Sequence, residues 1–206
     1  MTDNLDYSWT EEKHHTPNIV DTLSKILNKK EYKKMKHLDV GCGNGALTSK
    51  IYNHFESSLG IDLSDKGIHF AKKYENEKLK FQHTGMKDLI NKNIKYDFIS
   101  SIEVIEHQYD PLKYIKEINE VTNKNGLILI STPFHGYFKN LLISILNLND
   151  KHYGVLWKHG HIKFFSVKSL KKLIEVSNCP IKIEDIKFSG RIYPFSNSMI
   201  FLLRKY

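Results

Sequence analysis

The residues best suited to chemistry lie between positions 37 and 45. There a short run carrying an acid, His37-Leu38-Asp39-Val40, gives way to Gly41-Cys42-Gly43-Asn44-Gly45. Glycine at every second position permits sharp turns and lets a ligand lie against the backbone. A helix-like segment follows at once, so the loop is expected on a helix N-terminus, where free N–H groups collect. That is the build of a nucleotide-type cofactor site. Further chemistry-bearing groups stand downstream: Asp62 closing Ser58-Leu59-Gly60-Ile61-Asp62, the set Glu103, Glu106 and His107, and four histidines within one aromatic stretch, His135, His152, His159 and His161.

These residues need elements to hold them. Ile19, Val20, Leu23, Ile26 and Leu27 recur with helical period, so residues 17–27 read as a helix, followed by a charged, solvated connection over 29–36. Strands are expected at 37–40, 58–62, 80–83, 97–102 and 127–132. Helices are expected at 46–55, 64–74, 111–121 and 166–178; Leu47, Ile51 and Phe55 give the first of these one apolar face. Ser64 or Asp65 reads as the cap of the second and Asp110 as the cap of the third, where Pro111 takes the first helical position. Strands alternating with helices indicate a doubly wound parallel sheet. The end departs from that rhythm, because 181–188 and 199–204 read as two strands joined only by a loop. A direct loop suits an antiparallel pair, whereas a parallel pair would need a crossover. The expected fold is thus α/β, Rossmann-like, with seven strands that are mostly parallel and an antiparallel last strand. One domain over residues 1–206 is expected, carrying an N-terminal helical lid (1–28) and a substrate-lid insertion (133–165).

Length and composition fit that scheme. A chain of 206 residues with 40% hydrophobic and 26% charged residues is that of an ordinary globular domain. The net charge of +8 would permit anionic partners, but the lysines are scattered and form no dense basic arm, so no nucleic-acid partner is expected. Cys42 and Cys179 show neither a disulfide framework nor a zinc pattern, which fits a reducing cytoplasm. Residues 1–13 are polar and mixed in charge, unlike a signal peptide. No apolar run approaches the roughly 20 residues needed to span a bilayer.

Over nearly its whole length the chain resembles the class I S-adenosylmethionine-dependent methyltransferases. Asp39-Val40-Gly41-Cys42-Gly43-Asn44-Gly45 matches their first motif, and Gly60-Ile61-Asp62 their second. Tyr96-Asp97-Phe98-Ile99 with Glu103-Val104-Ile105-Glu106-His107 resembles their fourth. The resemblance is nearest to the small-molecule branch that includes the ubiquinone-biosynthesis O-methyltransferases, which share the Glu-x-x-Glu-His ending.

The resemblance implies S-adenosylmethionine as cofactor and S-adenosylhomocysteine as product. It assigns cofactor binding to Asp39, Gly41, Cys42, Gly43, Asn44, Gly45, Asp62, Leu63, Met86 and Glu103. The glycines would face the amino-acid and ribose portions, and Asp39 would hold the ammonium through water. Asp62 would accept from the ribose hydroxyls, and Glu103 would lie at the methionine end. Many relatives carry an Asp after the third strand; here the sequence is Gly85-Met86-Lys87-Asp88, so Met86 would pack on the adenine.

Glu103, Glu106 and His107 would share one side of a turn if that segment is helical. His107 could remove a hydroxyl proton, brace the loop, or join the two carboxylates around a divalent cation, which is possible but not favoured. His135 and the pair His159 and His161 are the second choice of base. Four histidines without a compact ligand spacing or a cysteine do not indicate zinc, and a packed aromatic lid reads equally well. Tyr7, Trp9 and His14 could close over the same site. A base candidate leans toward methylation of a small-molecule hydroxyl in the cytoplasm. Nitrogen as acceptor atom, a non-catalytic cofactor-binding module, and an oxidoreductase are the rival readings. The last is opposed by the loop spacing and the final strand pair. Nothing in the sequence sets the oligomeric state.

Overall fold

The computed structural model describes residues 17–153 and 160–206. Its strands are β1 (Lys36–Val40), β2 (Ser57–Asp62), β3 (Leu79–His83), β4 (Tyr96–Ile102), β5 (Thr122–Pro133), β6 (Ile181–Ser189) and β7 (Ser198–Lys205). They form one sheet in the order β3-β2-β1-β4-β5-β7-β6. Strands β1 to β5 pair in parallel, and β7 runs antiparallel between β5 and β6. The expected doubly wound sheet with an antiparallel last strand is therefore present.

Helices cover both faces because the central strands are apolar on both sides. On one face α1 (Pro17–Leu27) and α2 (Thr48–Ile51) bury Ile19, Leu23, Leu27 and Ile51 against Phe55, Phe98, Leu129 and Ile200. On the other, α4 (Met86–Asn91), α5 (Pro111–Glu120) and α8 (Val167–Val176) bury Met86, Leu89, Ile115, Leu170 and Ile174 against Leu38, Ile99, Ile128 and Phe201. Helix α3 (Asp65–Ala71) closes a smaller cluster with Cys42, Leu79 and Phe81. Ser64 caps α3 by accepting from the Gly67 N–H, and Asp110 caps α5 by accepting from Lys113 N–H, as the sequence indicates.

Some local expectations are corrected. Residues 30–34 form a short 3₁₀ turn that buries Tyr32 completely, rather than a solvated connection. The expected helices at 46–55 and 64–74 are short α-helices, each finished by a 3₁₀ turn. Strand β5 begins at Thr122, and α4 was not legible. The described part of the insertion contains two helices, α6 (Tyr137–Ile145) and α7 (Asn149–Tyr153). Within the expected N-terminal lid segment, α1 packs into the core.

Candidate cofactor and acceptor site

The glycine loop lies at the carboxyl end of β1, between two carboxylates. Asp62, at the end of β2, accepts from the Gly43 N–H at 2.8 Å and the Ser64 N–H at 2.7 Å. Asp39 accepts from the Thr48 hydroxyl at 2.6 Å and from the Ser100 hydroxyl of β4, also at 2.6 Å. These bonds tie β1, β2, β4 and the first turn of α2 around the loop. Burial raises the Asp62 carboxyl above its usual range and pushes Asp39 up to about 6.

The expected free N–H cradle is not what the loop offers. Gly41 and Cys42 both donate to the Ile61 carbonyl, Gly43 donates to Asp62, and Gly45 donates to the Cys42 carbonyl. Helix α2 itself is only one turn long. The loop's role is instead close approach. Gly41 has φ +75°, and a Cβ there would stand 2.6 Å from Val104 Cγ2. Gly45 has φ +71° and lies under Ala71 and Phe81. The Cys42 side chain points into the small core cluster, so only its backbone faces the loop. Asn44 is buried and turns its Oδ1 to the Ala46 N–H. Leu63 is exposed beside Asp62, and Met86 is buried in the cluster that also holds Leu89 and Ile105. Asp88 is tied to the Thr84 hydroxyl at 2.6 Å, which fixes it at the start of α4.

Beyond β4 the chain enters the left-handed region at Glu103, φ +56°, a conformation a side-chain-bearing residue rarely adopts. This turns the Glu103 side chain toward Ser131 of β5, although its charge still acts on Glu106. Its Oε1 accepts from the Ser131 hydroxyl at 2.7 Å, and burial lifts its carboxyl to about 7. Among the described residues, the ligand-type side chains that come together with Glu106 and His107 include His161. Candidate ligand atoms of Glu106, His107 and His161 lie within 4.8 Å of one another, and the two imidazole rings are 5.0 Å apart. The sequence offers His161 as a second-choice base within the insertion, not as a neighbour of Glu106 and His107. The backbone explains its arrival, because the Ile162 and Lys163 N–H groups both donate to the Glu106 carbonyl.

Glu106 is 0% exposed, and neither carboxylate oxygen has a well-formed hydrogen bond, although the Thr132 hydroxyl lies beside it. Burial and the neighbouring Glu103 push its carboxyl well up, which favours the neutral acid. His161 stands 3.9 Å from it, and burial together with the nearby His107 and His152 lowers the His161 imidazole to about 4.

His135 forms a second group. It is nearly buried, among His152, Tyr153 and Phe164, with ring centroids 5.0 Å from Phe164 and 5.9 Å from His152. Burial and the cation of Lys139 lower it to about 4. Helix α6 carries Tyr137, Phe138, Leu141, Leu142 and Ile145 outward, whereas Lys139 turns inward to the carbonyls of Phe134 and Ser196. His159, Trp157, Tyr7, Trp9 and His14 lie outside the described residues.

A parallel sheet with two acid-ended strands around a glycine loop and an antiparallel β7 defines the class I methyltransferase fold. The chain belongs to the methyltransferase domain family, whose model matches residues 12–181. A ubiquinone biosynthesis O-methyltransferase of Pelagibacter ubique (strain HTCC1062) is 33% identical over 117 residues, 56% of this chain and 49% of that protein. A tRNA U34 carboxymethyltransferase of Campylobacter fetus subsp. fetus (strain 82-40) is 37% identical over 100 residues, 47% of this chain and 36% of that protein. The chain thus spans about half or less of these two curated relatives. Among solved structures, magnesium protoporphyrin IX methyltransferase from Synechocystis PCC 6803 with bound S-adenosylhomocysteine (SAH) aligns with a TM-score of 0.69 at 16% identity, covering 91% of this chain and 82% of that one. The N-methyltransferase NodS from Bradyrhizobium japonicum WM9, also with SAH, aligns at 0.68 and 12% identity, covering 97% and 94%. Both likenesses are likenesses of fold. No described helix is long and apolar enough to cross a membrane.

Proposed function

We propose that this chain transfers the methyl group of S-adenosylmethionine to a hydroxyl oxygen of a small molecule. The reading of the donor is supported by the loop held between Asp39 and Asp62. Its internally paired N–H groups suit a cationic cofactor better than a pyrophosphate, which needs open N–H groups. Buried carboxylates Asp39 and Glu103 suit the ammonium and sulfonium charges, and Asp62 the ribose hydroxyls. Gly41, Cys42, Gly43, Asn44 and Gly45 line the approach through backbone, with Leu63 and Met86 toward the adenine.

The observation that carries the acceptor reading is the pairing of His107 with His161 beside Glu106, at the carboxyl end of β4. The sulfonium is already activated, so positioning supplies much of the rate. An acceptor hydroxyl, in contrast, needs a base. In the proposed step an imidazole of this pair takes the hydroxyl proton and the oxygen attacks the methyl carbon. The carbon–sulfur bond then breaks, leaving its electron pair on sulfur and releasing SAH. His135 would line the acceptor pocket with Tyr153 and Phe164. The same Glu106, His107 and His161 cluster favours one second reading, in which a divalent cation orients the acceptor oxygen. The related proteins include both a ubiquinone-pathway and a tRNA enzyme, and the scattered lysines favour the small molecule.

The test is a panel of phenols, sugars, amines and tRNA incubated with methyl-labelled S-adenosylmethionine. Label in a small hydroxylated acceptor supports the reading; label only in tRNA or only in amines overturns its acceptor half.

A further inference from the structure

Strand β1 carries a histidine at its second position, packed against two aromatic rings of one apolar cluster, and neither the cofactor roles nor the acceptor chemistry uses it. His37 is 0% exposed and stacks on Phe55 with ring centroids 4.1 Å apart. Phe98 meets it edge-on at 5.9 Å. A polar ring in such a place is costly unless its nitrogens are satisfied. They are: Nδ1 lies 3.0 Å from the Ser58 hydroxyl and Nε2 lies 2.8 Å from the Ser100 hydroxyl. Strand register explains the arrangement. His37 pairs with Ser58 of β2, Asp39 pairs with Ser100 of β4, and His37 and Asp39 share one face of the sheet.

The direction of each bond follows from counting protons. Ser100 has one hydroxyl hydrogen, and it is given to Asp39 Oδ1 at 2.6 Å. The Ser100 oxygen can then only accept from His37, so Nε2 must carry a hydrogen. Burial keeps the ring neutral, holding its pKa at about 3. Nδ1 is therefore bare and accepts from Ser58. The chain Ser58 to His37 to Ser100 to Asp39 runs one way, with Thr48 donating to the other Asp39 oxygen.

We propose that His37 is a positioning residue for the cofactor site: its Nε2–H fixes the Ser100 hydroxyl so that it donates to Asp39, which turns its remaining lone pairs to the cofactor. Without that donor the Ser100 hydroxyl is held only through Asp39, which weakens one of the two hydroxyl bonds that Asp39 accepts. The other ionisable groups facing Asp39 do not compensate. Asp62 from β2 raises its pKa, and Cys42 from the loop and Tyr114 from α5 bring no positive charge. The inference rests on the assignment of Asp39 to the cofactor, but its first test does not.

That test is nitrogen-15 NMR of the protein alone, which reads the tautomer directly. The expected result is a neutral His37 protonated at Nε2 at pH 7–8, where Asp39 is ionised; a ring protonated at Nδ1, or at both nitrogens, in that range overturns the proposal. The second test compares His37→Phe, which keeps the stacking, with His37→Gln, whose amide can restore a donor toward Ser100. In His37→Phe the carboxyl-carbon titration of Asp39 should move up by about one pH unit. SAH affinity at pH 7 should fall about twofold and recover by pH 8.5, and His37→Gln should reverse both changes. A folded His37→Phe with the native Asp39 titration overturns the proposal. If the native protein does not bind SAH at all, the cofactor reading fails, while the tautomer and the Asp39 titration still decide the network.

Discussion

Replacing Asp62 with Asn separates the two duties of that carboxylate. The side chain keeps its size but exchanges one acceptor oxygen for an NH₂ donor, which then faces a backbone N–H. In the native site the Gly43 and Ser64 N–H groups are held at 2.8 Å and 2.7 Å by opposite oxygens. A hydrogen bond to a charged group contributes about 1.5–3 kcal/mol. Losing one such bond should lower stability by that amount, which for a chain of this size is a fall in Tm of about 3–12 °C. The cofactor's ribose diol meets the same altered acceptor and loses a comparable amount, together with the loosened loop. SAH binding should then weaken by about 3 kcal/mol, or roughly a hundredfold. Calorimetry at a temperature where the variant is folded measures the affinity, and thermal unfolding without ligand measures the loop's share. A folded Asp62→Asn that binds SAH within threefold of the native protein would refute the ribose assignment. An unchanged Tm would refute the loop-holding role.

Other outcomes follow from the same geometry. Gly41→Ala should cost more than 2 kcal/mol, by the order of a core overpacking, because its Cβ meets Val104 at 2.6 Å. Adding Val104→Ala should recover the steric part and leave about 1–2 kcal/mol of left-handed backbone strain, read by denaturant unfolding. His107→Ala or His161→Ala should cut kcat by about 10²–10⁴ on a hydroxyl acceptor while leaving the SAH affinity unchanged. Full activity in both variants would remove the base, and unchanged turnover after EDTA treatment would remove the metal reading. Glu103 has a folded pKa of about 7, above its ordinary 4.5. Its stabilising contribution is therefore complete below pH 4.5 and lost as pH rises through 7. Glu103→Gln should flatten that decline in a pH series of Tm values.

Much of the fold was legible because the central strands are short apolar runs ended by turns or acids, and the final strand pair has only a loop between its members. The chemistry at Asp39 and Asp62 was legible for the same reason, since each closes such a run. What the sequence hid was set by distant partners or by reversed patterning. Ser100 bonds Asp39 across 61 positions, and His161 reaches Glu106 only because the 162–163 backbone docks on its carbonyl. Periodicity could not place Glu103, because one left-handed residue turned it toward Ser131. Tyr32 sits in a lysine-rich stretch that reads as solvated, yet its ring is buried edge-on against Phe98. Helix α6 escaped notice because its apolar residues face outward and its lysine inward, the reverse of a helix packed on a core.

The central claim is that the loop between Asp39 and Asp62 binds S-adenosylmethionine, and amide NMR during a titration with SAH tests it most directly. The account predicts saturable shifts concentrated at Gly41, Gly43, Gly45, Leu63 and Glu103, with residues 174–181, toward the amino ends of the parallel strands, unmoved. Saturable shifts confined to other parts of the chain, or no shifts at millimolar SAH, would contradict it.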